Sequence, residues 1–117
     1  MQRKILLIED RLEVQSTLIR ILNRKDFEVI SAYTVSGART FFNQHFHDIC
    51  AIIIDGSLEN ERDTLPLVTE FRSSFSGPMI AISGDEKLNS ELMAQGCSHA
   101  GMKPNIIQPI FEALTEI

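Results

Sequence analysis

The sequence predicts a doubly wound α/β domain, a five-stranded parallel sheet with helices on both faces. Three observations point there. Short unbroken apolar runs recur at residues 5–8, 49–54 and 79–82, each the length of a strand buried on both faces. Segments with apolar residues at helical spacing separate them. Each run also stops abruptly at polar residues: Glu9-Asp10, Asp55 and Ser83. Size and charge agree with one such domain. The chain has 117 residues, 44% of them hydrophobic, and 16 acidic against 11 basic residues give a net charge of −5. That balance argues against direct nucleic-acid binding, which runs on excess Lys and Arg.

The elements follow in order. Ile5-Leu6-Leu7-Ile8 is the first strand. Residues 12–25 form a helix marked by Leu12, Leu18, Ile19, Ile21 and Leu22. Residues 27–32 alternate weakly, with Phe27, Val29 and Ser31 on one side, as an outer strand does. Residues 35–46 are helical, carrying Ala38, Phe41, Phe42 and Phe46. Residues 49–54 form the third strand, and a polar loop runs from 56 to 63. A helix at 65–74 leads to the Gly77-Pro78 turn and to the fourth strand at 79–82. The helix at 85–95 carries Leu88, Leu92 and Met93 and stops at Gly96. A short fifth strand at 99–102 ends in Lys103-Pro104. A tail helix with Pro109 in its first turn carries Ile110, Phe111, Leu114 and Ile117.

Five strand-then-helix units on one short chain imply the flavodoxin-like order 2-1-3-4-5, with the ligand crevice outside the carboxyl ends of strands 1 and 3. Glu9 and Asp10 leave strand 1, Asp55 leaves strand 3, Ser83 leaves strand 4 and Lys103 leaves strand 5. All five crowd one edge of the sheet. Three carboxylates in one crevice repel one another, and a hard divalent cation with oxygen ligands and retained water, Mg2+, relieves that strain. Lys103 adds a fixed positive charge. A dianionic phosphoryl group fits between these cations, with the Ser83 hydroxyl donating to it. Asp55 is then the natural nucleophile, forming an aspartyl-phosphate.

These residues, in this order and these strand contexts, give a chain that resembles the receiver domain of response regulators (CheY-like) over its whole length, 1–117. The resemblance implies that Asp55 is the phosphoacceptor. It implies that Glu9, Asp10, Asp55 and the backbone carbonyl of Ser57 hold Mg2+. Ser83 is then the switch hydroxyl and Lys103 the phosphate-sensing lysine, with a Lys103-Pro104 bond often cis in such domains. The implied donor is a phosphohistidine on a sensor kinase or phosphotransfer domain; the composition and cysteine usage read separately as a cytoplasmic domain. The implied output is a protein partner on the face built from helix 4, strand 5 and helix 5. The resemblance also places Ser57 and Asp85 at positions that, in such domains, influence hydrolysis of the aspartyl-phosphate, and Asp85 equally suits a helix N-cap. The sequence also departs from the pattern. Ala100 stands where an aromatic is usual, and Glu59 where a proline is. The loop 59–63 is unusually charged. A signal is therefore expected to pass through the backbone of residues 84–87 and not through an aromatic rotamer.

The remaining chemistry-bearing residues have plainer readings. His45 and His47 sit two apart, so a helix would not bring them to one ligand. His99 reads as a strand-edge residue. Cys50 and Cys97 fit no zinc or disulfide spacing and read as small core residues. Phe41, Phe42 and Phe46 read as helix packing. No apolar run approaches a membrane span, and residues 1–4 lead into a run too short for an export signal. A receiver-like interaction module independent of phosphorylation is the alternative function. An enzyme of the haloacid-dehalogenase type would need a second Asp where this chain has Ser57, and a nucleotide-binding protein would need a Gly-rich loop after strand 1.

Overall fold

The computed structural model describes residues 3–117; Met1 and Gln2, part of the expectation about export, lie outside the described residues. Five parallel strands form one sheet in the order β2-β1-β3-β4-β5. They are β1 (Arg3–Ile8), β2 (Phe27–Ala32), β3 (Ile49–Asp55), β4 (Met79–Ser83) and β5 (His99–Met102). Helices α1 (Leu12–Asn23), α2 (Val35–His45), α3 (Leu65–Arg72), α4 (Glu86–Gln95) and α5 (Ile107–Leu114) connect and follow them. The predicted order and element count are those observed.

The central strands are apolar on both faces because two cores flank the sheet. On one face, Leu6, Ile8, Ile52, Ile54 and Ala81 meet Phe42, Val68, Phe71 and Leu92 of α2, α3 and α4. Within it, the Phe42 and Phe71 rings stack at 4.0 Å. On the other face, Ile5, Leu7, Ile53, Ile80 and Ile82 meet Leu18 and Leu22 of α1 and Ile110 and Ala113 of α5. Strand β2 obeys its expected alternation. Phe27 and Val29 join the α1/α5 core, whereas Ala32 joins the other with Ile30 packed against it.

Several boundaries differ from expectation. Helix α1 ends at Asn23, and Leu12 does not join the buried stripe but is 71% exposed at the helix start. Helix α2 ends at His45, with Phe46–Asp48 forming a single 3-10 turn before β3. Helix α3 stops at Arg72. Met93 on α4 is exposed. Helix α5 begins at Ile107, two residues before Pro109, which still falls in the first turn where its missing N–H costs nothing. Ile117 lies beyond α5 and is exposed. The Lys103-Pro104 peptide is cis. Cys50 is half-buried and Cys97 buried, and both are free. Burial pushes both thiols up, Cys97 to about 12, so neither is a thiolate near neutral pH. Among the described residues, no helix is long and apolar enough to cross a membrane.

Candidate functional site

The parallel register carries the chemistry to one edge. Ile8 pairs with Ile54, Asp55 with Ile82, and Ser83 with Met102, so the residues that end these strands emerge side by side. They border an open cleft of about 500 Å³ bounded by Asp10, Asp55, Ser57, Ser83 and Lys103, with Arg11, Glu61, Gly84, Asp85 and Leu88 around the rim.

Glu9 is fully buried. Its Oε1 accepts from Lys103 Nζ at 2.6 Å, and its Oε2 accepts from the backbone N–H groups of Asp10 (2.9 Å) and Arg11 (3.3 Å). The Gln15 side chain of α1 donates to the Glu9 carbonyl, tying that helix to the end of β1. Lys103 also reaches Asp55, with Nζ 2.9 Å from Oδ2. One ammonium, carried at the end of β5, thus bridges carboxylates from the ends of β1 and β3. Asp10 is exposed at the mouth. Carboxylate oxygens of Glu9, Asp10 and Asp55 lie within 4.8 Å of one another, and among the described residues this is the one group of three or more acidic, His or Cys side chains close enough to share an ion.

The electrostatics follow from burial and crowding. Burial pushes the Glu9 carboxyl up to about 7; the Lys103 hydrogen bond opposes this and the Asp55 charge adds to it. Burial by itself would lower the Lys103 pKa, but its hydrogen bonds to Glu9 and Asp55 and their charges outweigh that, and it is raised. Three acidic groups against one lysine leave an excess of negative charge on hard oxygen atoms, a donor set suited to Mg2+.

The loop after β3 is shaped by its own side chains. The Ser57 N–H donates to Asp55 Oδ1 at 3.3 Å. Asp63 accepts from the N–H groups of Leu58, Glu59 and Asn60 at 2.8–3.1 Å. Buried Thr64 donates its hydroxyl to the Asp55 carbonyl at 2.7 Å. On the facing loop, the Asp85 N–H donates to Ser83 Oγ at 3.0 Å. Asp85 caps α4, accepting from the N–H groups of Lys87 and Leu88. The N-cap reading is therefore observed, on a residue that also borders the cleft.

All the sequence-selected site residues meet here: Glu9, Asp10, Asp55, Ser57, Ser83 and Lys103. The other candidates lie elsewhere. His45 approaches Lys4 on the far side of the sheet from the cleft, and His99 contacts Ser98 Oγ (2.8 Å) and Glu116 Oε2 (2.7 Å). Sequence reasoning missed Gln15, Thr64, Arg62 and Asn89. The last is a buried α4 residue whose side-chain N–H donates to the Gly101 carbonyl at 3.0 Å, beside the site of the absent aromatic. A polar residue inside an otherwise apolar helix face was the available signal for Asn89; nothing local marked the others.

No family model matches the chain, and no curated protein does. Solved structures do. The receiver domain of TorR, the response regulator of the TMAO respiratory system, superposes with a TM-score of 0.85 at 18% identity, covering 97% of this chain and 94% of that one. A response regulator receiver protein from Pseudomonas putida gives 0.84 at 21% identity, over 100% and 98%. CheY from Borrelia burgdorferi, in a CheX-CheY-BeF3-Mg2+ complex, gives 0.82 at 18%, over 97% and 87%. Together with the strand order and the convergent acidic cleft, these likenesses identify the chain's architecture as that of response-regulator receiver domains.

Proposed function

We propose that this chain is a phosphoacceptor receiver of a cytoplasmic two-component phosphorelay, taking a phosphoryl group onto Asp55. The observation that carries the reading is the Lys103 ammonium held between Glu9 and Asp55 at the floor of an open acidic cleft. The Asp55 carboxylate attacks the phosphorus of a phosphohistidine on a kinase or phosphotransfer domain. A P–O bond forms as the P–N bond breaks, and the departing imidazole keeps the electron pair and takes up a proton. Lys103 would offset charge on the phosphoryl oxygens, and the Ser83 hydroxyl, which borders the same cleft, would donate to one of them. Asp10, Asp55, Glu9 and the Ser57 carbonyl would hold Mg2+, which supplies charge neutralisation at the phosphoryl oxygens when bound. The chain turns over no external substrate; it carries the group and hydrolyses it.

The occupied state is read on the face of α4, β5 and α5 by a protein partner. Ser83 and the α4 cap at Asp85 share a hydrogen bond, so a pull on the Ser83 hydroxyl reaches the start of α4 directly. A second reading, an interaction module that ignores phosphorylation, is favoured by Ala100, which is exposed and has no ring to reorient. Binding of beryllofluoride with Mg2+, followed by NMR shifts of the amides around residues 55–57 and 83–88, separates the two. The proposal expects saturable shifts that Asp55→Asn abolishes. Absence of shifts in the wild-type chain overturns it.

A further inference from the structure

Arg62 stands out in the loop after β3. It is one of two non-glycine residues with positive φ among the described residues, at +61°. An arginine gains nothing intrinsic from that conformation, which costs on the order of 1 kcal/mol, so its surroundings must impose it. Three sets of contacts do so. The Arg62 backbone N–H donates to Ser57 Oγ at 3.0 Å. Its guanidinium meets Glu91 of α4 with both prongs, Nε to Oε2 at 3.0 Å and Nη2 to Oε1 at 2.8 Å. Nη1 reaches Glu61 Oε1 at 2.8 Å.

Ser57 in turn donates its N–H to Asp55 Oδ1. An unbroken chain of contacts therefore runs from the Asp55 carboxylate through Ser57 and Arg62 to helix α4. A second contact joins the same two elements: a Cβ on Gly56 would come within 2.4–2.5 Å of the Leu88 side chain, so Leu88 of α4 packs directly on the residue after Asp55.

We propose that Arg62 is a positioning residue for the acceptor site, clasping the Ser57 loop to α4 through Glu91. This rests on the reading of Asp55 as the phosphoacceptor. A lone, half-exposed ion pair contributes little. This one is bidentate, joins elements 29 residues apart and fixes a strained backbone, so it preorganises the loop that carries Ser57. Losing it leaves the fold in place and lets the loop wander.

Glu91→Gln tests this without altering the loop sequence. Beryllofluoride and Mg2+ binding should weaken three- to tenfold, with a thermal midpoint close to wild type. Arg62→Ala should weaken it similarly, and the double variant should be no worse than Arg62→Ala alone, because the two residues form one device. Exchanging the charges, Arg62→Glu with Glu91→Arg, should recover most of the loss. Amide hydrogen exchange of residues 57–62, read without ligand, should quicken in Glu91→Gln. Unchanged affinity in Glu91→Gln, additive losses in the double variant, or unchanged exchange at residues 57–62 would each overturn the clasp. Failure of the wild type to bind beryllofluoride overturns the acceptor reading instead, and the exchange measurement still decides whether the clasp holds the loop.

Discussion

Lys103 and Asp55, 48 residues apart in the chain, meet at 2.9 Å across the end of the sheet. The same ammonium touches Glu9, 94 residues away. The Lys103 ammonium therefore directly offsets the repulsion between these two carboxylates. Glu9 is fully buried while Lys103 keeps some contact with solvent, so removing the lysine strands a buried carboxylate.

That asymmetry gives the first expected outcome. Lys103→Met should lower stability by roughly 3 kcal/mol at pH 8, the cost of leaving one partner of a buried pair charged and alone. At pH 5 the loss should be much smaller, because Glu9 is then protonated. Urea denaturation at the two pH values measures the difference; equal losses would show that Glu9 and Lys103 are not energetically paired.

The pH dependence of the metal-free wild type has a defined sign. The Glu9 carboxyl titrates near 7 in the folded chain, above its ordinary value of 4.5. The folded state therefore holds more protons than the unfolded state between those values, and stability falls as pH rises from about 4.5 to about 7, then levels. Glu9→Gln should flatten that segment. Added Mg2+ should raise the thermal midpoint more at pH 8 than at pH 6, since protons compete for its carboxylate ligands. A larger Mg2+ effect at pH 6 would contradict the site.

The route out of the site is testable at Ser83. Its Oγ accepts from the Asp85 N–H, and Asp85 caps α4. Ser83→Ala should still bind beryllofluoride at Asp55 yet lose most of the NMR shifts at residues 84–88. Shifts there that persist in Ser83→Ala would place the signal on another path.

Packing predicts one substitution far from the cleft. Phe71 is fully buried and stacks on Phe42. Phe71→Ala should cost about 3–5 kcal/mol by thermal or urea denaturation, with the ligand-binding residues intact in whatever fraction remains folded. A loss under 1 kcal/mol would mean that the α2–α3 core collapses around the gap.

Much of this molecule was legible in its sequence, for physical reasons visible at single residues. The run Ile52-Ile53-Ile54 can only be a strand covered on both faces, and Asp55 ends it because a carboxylate belongs at the solvent edge. Once the strand order follows from the alternation of elements, Glu9, Ser83 and Lys103 must meet Asp55. Leu12 misled because an apolar residue in the first helical turn still satisfies the periodicity while projecting beyond the core. Ile117 misled in the same way at the other end. The Arg62–Glu91 clasp could not be read at all. It joins two charged, solvent-accessible residues from different elements, and charge on a surface loop has no period to betray its partner. Asn89 became meaningful only when α4 was seen to press it against the Gly101 carbonyl.

The most direct test of the central claim is chemical. The chain is incubated with a small acyl phosphate and Mg2+, the product is reduced with borohydride, and the modified residue is located by mass spectrometry. The account expects one phosphoryl group per chain, at Asp55, with none on Asp55→Asn and little without Mg2+. A wild-type chain that stays unmodified with Mg2+ present, or that carries the group at another residue, would contradict it.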